Sequence, residues 1–313
     1  MRDRLWNVDG CWSLRQCSTE ACGLVWLDPR PRVEDIPLLY ATYSTHAPLR
    51  PTLHSRMERI RVGILGATGF GQERAGRESL VWALLAKAGF VRDYAAGSVM
   101  WLSPEWKGGL LDVGCGGGEL MIRLRNFGWD VAGVELDPKA RGMASEKLGL
   151  PVSPDLSALA ERRFDIITLS HVIEHVPDPV ATLIDCRKLL KGGGRIVLAT
   201  PNVKSLGHRH FGSNWVHLDP PRHLFLFSPR NLRHCAQRAG LRIETLRTSA
   251  RSAFYSWYAS QLIKGRGAVS GLRIAAEAPL GMKFSGILFQ AFEHQFLSRC
   301  WGEEIVLVGL SDN

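Results

Sequence analysis

The stretch LLDVGCGGGE, residues 110–119, decides the fold of this 313-residue chain. An apolar run ends at Asp112, glycines follow at alternate positions (Gly114, Gly116 and Gly118), and a helical pattern begins at once. This order predicts a strand, a tight turn and the start of a helix. The unpaired backbone N–H groups at such a helix start suit an anionic part of a ligand.

The acidic residues around this turn indicate which ligand it binds. The spacing is not the G-x-G-x-x-G of dinucleotide-binding loops, because Glu119 stands where the third glycine is needed. A carboxylate at Asp112 repels a pyrophosphate but holds the ammonium of a methionine moiety, directly or through water. Glu135 ends the next predicted strand, where an acid accepts both hydroxyls of a ribose. Together these features favour S-adenosylmethionine over NAD; the alternative is a tight turn with two solvated acids.

The composition is that of a globular protein, with 45% hydrophobic and 22% charged residues. No apolar run approaches the roughly 20 residues that span a bilayer, and no signal peptide is visible at the start. Seven cysteines without framework spacing fit a reducing compartment, which predicts a cytoplasmic protein. The net charge of +9 indicates an acidic partner or surface, but no nucleic-acid module appears, so a nucleic-acid partner is not expected.

The order of elements predicts the fold class. Strands alternate with helices from residue 108 onward, which is typical of an α/β, doubly wound, Rossmann-like and mostly parallel sheet covered on both faces. We expect five segments. They are a small N-terminal appendage (1–45), a helical cap or linker (46–107), a cofactor-binding core (108–249), a helical insertion (250–301) and the final core strand with the C-terminus (302–313).

Five blocks of the core resemble the class I S-adenosylmethionine-dependent methyltransferases. The blocks are LLDVGCGGGE, VAGVELDP (131–138), FDIITLSHVIEHVPDP (164–179), LLKGGGRIVLATPN (189–202) and PPRHLFLFSPRNL (220–232). The last three resemble the branch that contains ubiquinone-pathway and sugar or cell-envelope methyltransferases. The resemblance implies methyl transfer from S-adenosylmethionine to a small-molecule or glycan- or lipid-linked acceptor, with S-adenosylhomocysteine as the product.

The resemblance also implies a set of cofactor contacts. They are Asp112, Gly114, Cys115, Gly116, Gly118, Glu135, Leu136, Asp155, Ser170 and His171. The first glycines belong at the methionine end and Glu135 at the ribose. Asp155 belongs near the adenine amine, and Ser170 with His171 beside the sulfonium.

Two histidines are candidate general bases. Methyl transfer requires alignment and, for a hydroxyl acceptor, removal of a proton. His171 and His175 follow a predicted strand that ends at the site, and imidazole titrates near neutral pH. The alternative is a structural segment in which Glu174 and His175 pin the loop. HVIEH also matches the H-x-x-E-H zinc signature, but Pro177 and Pro179 prevent the helix that this signature requires.

The acceptor side contains basic and aromatic residues between the TPN strand and the next helix. His217, Arg222 and His223 are the candidate substrate residues, because such side chains suit a phosphate, carboxylate or sugar-linked acceptor. The alternative is that the PPRH segment forms a structural corner, with Arg222 hydrogen-bonded to carbonyl oxygens.

Two amphipathic, aromatic-rich stretches, 254–263 and 282–297, predict helices in the insertion. They either pack on the core or contact a membrane surface, which would make the protein peripheral at the inner membrane.

Two further motifs are not expected to hold a ligand. VGILGATGFG (62–71) resembles a dinucleotide loop but lacks a βαβ unit, so we interpret it as a glycine-rich connection. Cys11, Cys17 and Cys22 resemble part of a zinc ribbon, but the four ligands of a closed site are not present. We therefore expect no metal and regard zinc as improbable. Other functions remain open: a cofactor-binding pseudoenzyme or scaffold, an RNA or protein methyltransferase, or an NAD-linked enzyme.

Overall fold

A computed structural model of the chain describes residues 1–19, 22–40, 51–70, 77–269, 279–296 and 300–311. The predicted boundary at residues 45 and 46, the last glycine of the 62–71 motif and Leu297 lie outside the described residues.

The described strands and helices follow one another from the N-terminal hairpin to the last strand. The strands are β1 (Ser13–Gln16), β2 (Val25–Asp28), β3 (Gly109–Val113), β4 (Asp130–Val134), β5 (Phe164–Ser170), β6 (Leu190–Pro201), β7 (Phe225–Leu226), β8 (Arg242–Ser249) and β9 (Glu304–Leu310). The α-helices are α1 (Pro51–Ala67), α2 (Arg77–Ala86), α3 (Gly89–Gly97), α4 (Glu119–Asn126), α5 (Pro138–Leu148), α6 (Pro179–Lys188), α7 (Leu206–Phe211), α8 (Pro229–Arg238), α9 (Ala253–Arg266) and α10 (Leu280–Phe296).

A six-stranded sheet of order β4-β3-β5-β6-β9-β8 forms the core. β3 pairs in parallel with β4 and β5, and β5 pairs in parallel with β6. β9 is antiparallel to both of its neighbours, β6 and β8. The fold is therefore the predicted mostly parallel, doubly wound sheet, and the carboxyl ends of β3 to β6 meet at one edge.

The two faces of this sheet are buried under separate apolar clusters. Ile167 and Leu169 of β5 lie in one cluster with residues of α6 and α8. Ile166, one position earlier, lies in the other cluster with residues of α1 and α4. This alternation follows from the two-residue period of a strand and explains why the strands read as continuous apolar runs.

Local sequence signals set the start of two core helices. Asp178 accepts a hydrogen bond from Ala181 N and Pro179 occupies the first turn of α6, as predicted. Asp137 caps α5 in the same way, and Gly149 ends that helix in the left-handed conformation.

The glycine motif at 62–71 forms part of a helix, so the predicted connection is wrong over residues 62–67, which belong to α1. Gly63 lies against α2: a Cβ there would be 2.5 Å from the ring of Trp82. Glycine thus allows close packing of two helices rather than a turn, a tertiary cause that local propensity does not reveal.

The N-terminal residues join a second, three-stranded antiparallel sheet of order β1-β2-β7. β7 belongs to the segment that follows PPRH, so the N-terminus packs beside the predicted acceptor region. Within the described residues, Cys11, Cys17 and Cys22 do not assemble into a group of three metal ligands.

Candidate functional site

Three glycines shape the loop between β3 and α4. Gly114, Gly116 and Gly118 have φ values of 70°, 54° and 84°, a region that other residues seldom adopt. A Cβ on Gly114 would also lie 2.5 Å from Cγ2 of Val172. The backbone N–H groups of Gly114 and Cys115 donate to Val134 O at 2.8 and 3.1 Å, which ties the loop to β4.

Asp112 is a buried carboxyl at the floor of this loop, 3% exposed. Thr168 Oγ1 donates a hydrogen bond to its Oδ1 at 2.8 Å. Burial, with a smaller contribution from the charge of Glu135, raises the pKa of Asp112 to about 7, although Thr168 opposes the shift. A buried acid in this state gains free energy when a cation binds beside it.

Glu135 stands just beyond β4 and orders the loop. Its Oε2 accepts from Gly116 N at 2.8 Å, and its Oε1 accepts from Asp137 N at 2.9 Å. Each carboxylate oxygen keeps a second lone pair that can accept a hydrogen bond from a hydroxyl. The neighbouring Leu136 is an apolar side chain that is 75% exposed.

Asp155 belongs to a segment that runs along β4. Ser153 N donates to Gly133 O, and Glu135 N donates to Ser153 O, which places the segment beside Glu135. The Asp155 carboxylate caps its own turn, accepting from Ser157 Oγ at 2.5 Å and Ala158 N at 3.1 Å.

These residues fit S-adenosylmethionine on structural grounds. The buried carboxyl of Asp112 favours an ammonium beside it when it is ionised. Glu135 offers acceptors for a diol, and the exposed Leu136 offers apolar cover for a flat base.

His171 is a cation held between two buried acids. It has a φ of 54°, its Nε2 lies 2.9 Å from Glu304 Oε1, and its Nδ1 lies 3.3 Å from Glu174 Oε1. Burial alone would lower the pKa of His171, but the bonds to Glu174 and Glu304 outweigh it and raise that pKa to about 10. A protonated imidazole with both nitrogens engaged cannot accept a proton, so the geometry argues against His171 as the base.

Three other histidines surround His171 in their neutral form. Burial lowers the pKa of His175 to about 4, that of His217 to about 3 and that of His223 to about 4. The ring of His217 stacks on His171 with centroids 6.3 Å apart, and the rings of His175 and His223 are 4.6 Å apart, edge to face. The structure thus brings the predicted catalytic and substrate histidines into one cluster.

Arg222 is enclosed between two carboxylates. Its side chain is fully buried and bonds to Asp3 at 2.9 Å and to Asp219 at 2.5 Å. The structure therefore favours the corner alternative, with carboxylates as partners in place of the predicted carbonyls.

Two acids near the histidine cluster, the first residue of β9 and the residue before it, were not singled out from the sequence. Glu304 comes from the first residue of β9, more than 130 positions after His171, and it is 2% exposed. Glu303 beside it accepts from Trp215 Nε1 at 2.9 Å and from Gly207 N at 2.7 Å. The available signal was a pair of consecutive acids at the start of an apolar strand. Such a strand is buried, and a buried acid is rarely found without a partner.

Comparison with known proteins gives one family match. The sequence model of a family described as a methyltransferase domain matches residues 88–246. This range contains the glycine loop, Asp112, Glu135 and the histidine cluster.

Two proteins with similar sequences carry the same name, ubiquinone biosynthesis O-methyltransferase. The one from Cereibacter sphaeroides is 40% identical over 118 residues, which is 34% of this chain and 47% of that protein. The one from Thiobacillus denitrificans is 32% identical over 152 residues, 44% of this chain and 66% of that protein. The chain thus spans about half to two thirds of these relatives. A magnesium protoporphyrin IX methyltransferase from Synechocystis, solved with bound S-adenosylhomocysteine, is 18% identical with a TM-score of 0.43, over 83% of this chain and 95% of that one.

Proposed function

The chain belongs to the methyltransferase-domain family, in the class I S-adenosylmethionine-dependent group that its motifs predict, and from this premise we propose that it methylates a hydroxyl of a small molecule. The observation that carries the proposal is the buried carboxyl of Asp112 beside the glycine loop, which would favour a bound ammonium. The names of the two relatives support a hydroxyl acceptor, and the other acceptor classes are less favoured.

In the proposed site, residues at different strand ends bind different parts of the cofactor. S-adenosylmethionine supplies a methyl group that its sulfonium already activates. Asp112 holds the amino-acid part, and Glu135 holds the ribose. Leu136 covers the base, and Asp155 is proposed to lie near its amine. Binding at both ends fixes the direction of the sulfonium, which supplies most of the rate advantage through alignment.

The proton of the acceptor requires a separate group. His171 is already protonated, and Ser170 precedes it at the end of β5. His175, His217 and His223 are neutral at neutral pH and therefore carry lone pairs. We assign proton removal to this neutral histidine cluster rather than to His171.

The proposal is tested by transfer of a tritiated methyl group from S-adenosylmethionine to a panel of phenols, sugars, amines and RNA. We expect turnover with a phenol or sugar hydroxyl, and loss of that turnover in Asp112→Asn. The control is His234→Ala, an exposed histidine on α8, which should behave like the wild type. Binding of S-adenosylhomocysteine without transfer to any member of the panel would favour the scaffold function, and salt-dependent transfer to RNA would favour an RNA methyltransferase.

The insertion also supports a membrane-associated acceptor. One side of α10 packs on α9, where Gly286 lies against Phe254 and Phe289 is buried. The other side exposes apolar residues four positions apart: Leu280, Phe284, Leu288, Phe292 and Phe296, between 49% and 84% exposed.

Lys264 and Arg266 are exposed at the end of α9, and the net charge of the chain is +9. In the described residues no helix meets the length and hydropathy needed to cross a bilayer. We propose that this face rests on an anionic lipid surface and receives a lipid-linked acceptor.

Sedimentation with vesicles tests this contact. We expect the full chain to sediment with vesicles that contain anionic lipid and much less with zwitterionic ones. Replacing Phe284, Phe292 and Phe296 by serine should release it, by about 10-fold or more in apparent affinity. The matched control is Leu38→Ser, which alters an equally exposed leucine (68%) outside the insertion. Equal sedimentation of the triple variant and the wild type would contradict the contact.

A further inference from the structure

Three side chains near His171 lie together in an arrangement that proton removal by a histidine does not require. Glu174, His175 and His223 each present a ligand atom, and these atoms lie within 4.8 Å of one another. Among the described residues this is the one group of three or more acids, histidines or cysteines with such geometry. Glu174 is 1% exposed and His223 is 5% exposed, while His175 is half-buried and lies nearest to solvent.

The hydrogen bonds of the two imidazoles fix which nitrogen faces the group. His175 Nδ1 lies 3.0 Å from the carbonyl oxygen of Arg222, and His223 Nδ1 lies 2.7 Å from that of His217. A carbonyl accepts only, so each Nδ1 carries the hydrogen and each Nε2 carries the lone pair. Metal-binding histidines show this pattern, in which one nitrogen donates to a carbonyl and orients the other toward the ion.

Glu174 is oriented in a similar way. Thr200 Oγ1 donates to its Oε2 at 2.9 Å. Within the described residues no hydrogen bond reaches its Oε1, which is buried and has only the ion pair with His171 at 3.3 Å. The His171 cation offsets part of the cost of burying this oxygen, which keeps a lone pair for a further partner.

We propose that Glu174, His175 and His223 bind a divalent transition-metal ion. Two imidazoles and one carboxylate suit Zn²⁺ and similar borderline ions better than Mg²⁺, which prefers oxygen ligands. Metal–ligand bonds of about 2.0–2.1 Å place tetrahedral ligand atoms roughly 3.3 Å apart, so side-chain rotation must draw the three atoms together by somewhat more than an ångström.

The position of this group gives the ion a role, which rests on the proposed function. Glu174 contacts His171, the residue that directly follows β5 at the cofactor edge. An ion here has fewer protein ligands than the four of a closed site and keeps an open position for an acceptor oxygen. Coordination would lower the pKa of an acceptor hydroxyl. Of the neutral histidines, His217 alone lies outside the metal group and would take the proton.

The experiment measures metal binding apart from catalysis. The full chain is stripped with a chelator, in a background where Cys11, Cys17 and Cys22 are serine to remove thiol sites, and is titrated with Zn²⁺ against a chromophoric competitor. We expect one Zn²⁺ per chain in the wild-type site. His223→Ala should weaken this affinity by more than the roughly 10- to 100-fold that loss of an outer partner costs. The matched control, His234→Ala, removes an exposed histidine and should leave the affinity unchanged.

A second variant and a spectroscopic measurement test the metal site independently of His223→Ala. Glu174→Gln preserves the shape and the Thr200 contact, so it tests the site even where His223→Ala fails to fold. Co²⁺ should give visible absorption typical of nitrogen and oxygen ligands, and this absorption should disappear in Glu174→Gln. Unchanged Zn²⁺ affinity in folded variants, absence of tight binding in the wild type, or binding of Mg²⁺ in preference to Zn²⁺ would each overturn the proposal. Calorimetry with S-adenosylhomocysteine runs in parallel, so failure of the metal site is distinguished from failure of the cofactor site.

Discussion

Asp112→Asn is expected to weaken binding of S-adenosylhomocysteine by about 10- to 100-fold, because hydrogen bonds to charged groups contribute about 1.5–3 kcal/mol. The amide keeps the shape of the side chain and can still accept from Thr168 Oγ1. Calorimetry at pH 8 measures the loss. The matched control is Asp185→Asn, which changes an exposed acid of α6 that pairs with Lys188 outside the proposed site. Equal affinity in Asp112→Asn and the wild type would place the ammonium elsewhere.

The same variant is expected to be more stable than the wild type at high pH. The Asp112 carboxyl has a pKa of about 7 in the folded protein and near 3.9 in the unfolded chain. The folded state therefore binds more protons between these values, and stability falls as the pH rises from about 4 to 7. At about 1.36 kcal/mol per pKa unit the loss is up to about 4 kcal/mol above pH 7, and asparagine removes it. Urea unfolding at pH 4 and pH 8 measures the difference, which should be confined to the higher pH.

The affinity of the wild type for S-adenosylhomocysteine should also depend on pH. Because the ammonium requires an ionised Asp112, affinity should fall by up to about tenfold per unit below pH 7. Asp112→Asn should show no such dependence. A flat profile in the wild type would mean that Asp112 does not face the ammonium.

Arg222→Met is expected to destabilise the protein by about 3–5 kcal/mol, because it leaves the buried carboxylates of Asp3 and Asp219 without a cation. Asp3 lies in the N-terminal segment, so the change should also loosen that segment from the core. Urea unfolding measures the free energy, and limited proteolysis measures the release of the first residues.

Two comparisons decide between the structural and the acceptor role of Arg222. Arg15→Met breaks the ion pair with Asp28, in which the arginine is 67% exposed, and should cost less than about 1 kcal/mol. Asp3→Asn in the Arg222→Met background should recover part of the loss, since one uncompensated charge is removed. A raised KM for the acceptor with unchanged unfolding free energy would instead make Arg222 a substrate residue.

Features set by neighbouring residues were predictable from the sequence. The strand, glycine loop and helix at 110–126 depend on an apolar run, on positive φ angles and on a helix start, all of which act within a few positions. The start of α6 at Pro179 depends on one cap and one proline. These causes are local, so reading the chain in order was sufficient.

The missed features depend on contacts between distant segments. Glu304 reaches His171 only because β9 inserts between β6 and β8. Asp3 reaches Arg222 across 219 positions, and Gly63 is helical because Trp82 packs on it. The four histidines lie near one another in the structure, but their charge states follow from burial and from distant acids, which no spacing rule contains.

The place of β9 in the sheet has a consequence for synthesis of the protein. A growing chain completes β6 and β8 before it makes β9, yet β9 lies between them and bonds to both. Until Glu304 emerges from the ribosome, His171 lacks one of the two acids that hold its proton. Until β9 is made, β6 and β8 lack the hydrogen bonds that β9 supplies, and unpaired strand edges favour association with other chains. The second acid beside His171 and the pairing of β6 and β8 with β9 are then both supplied late in synthesis, by the same strand.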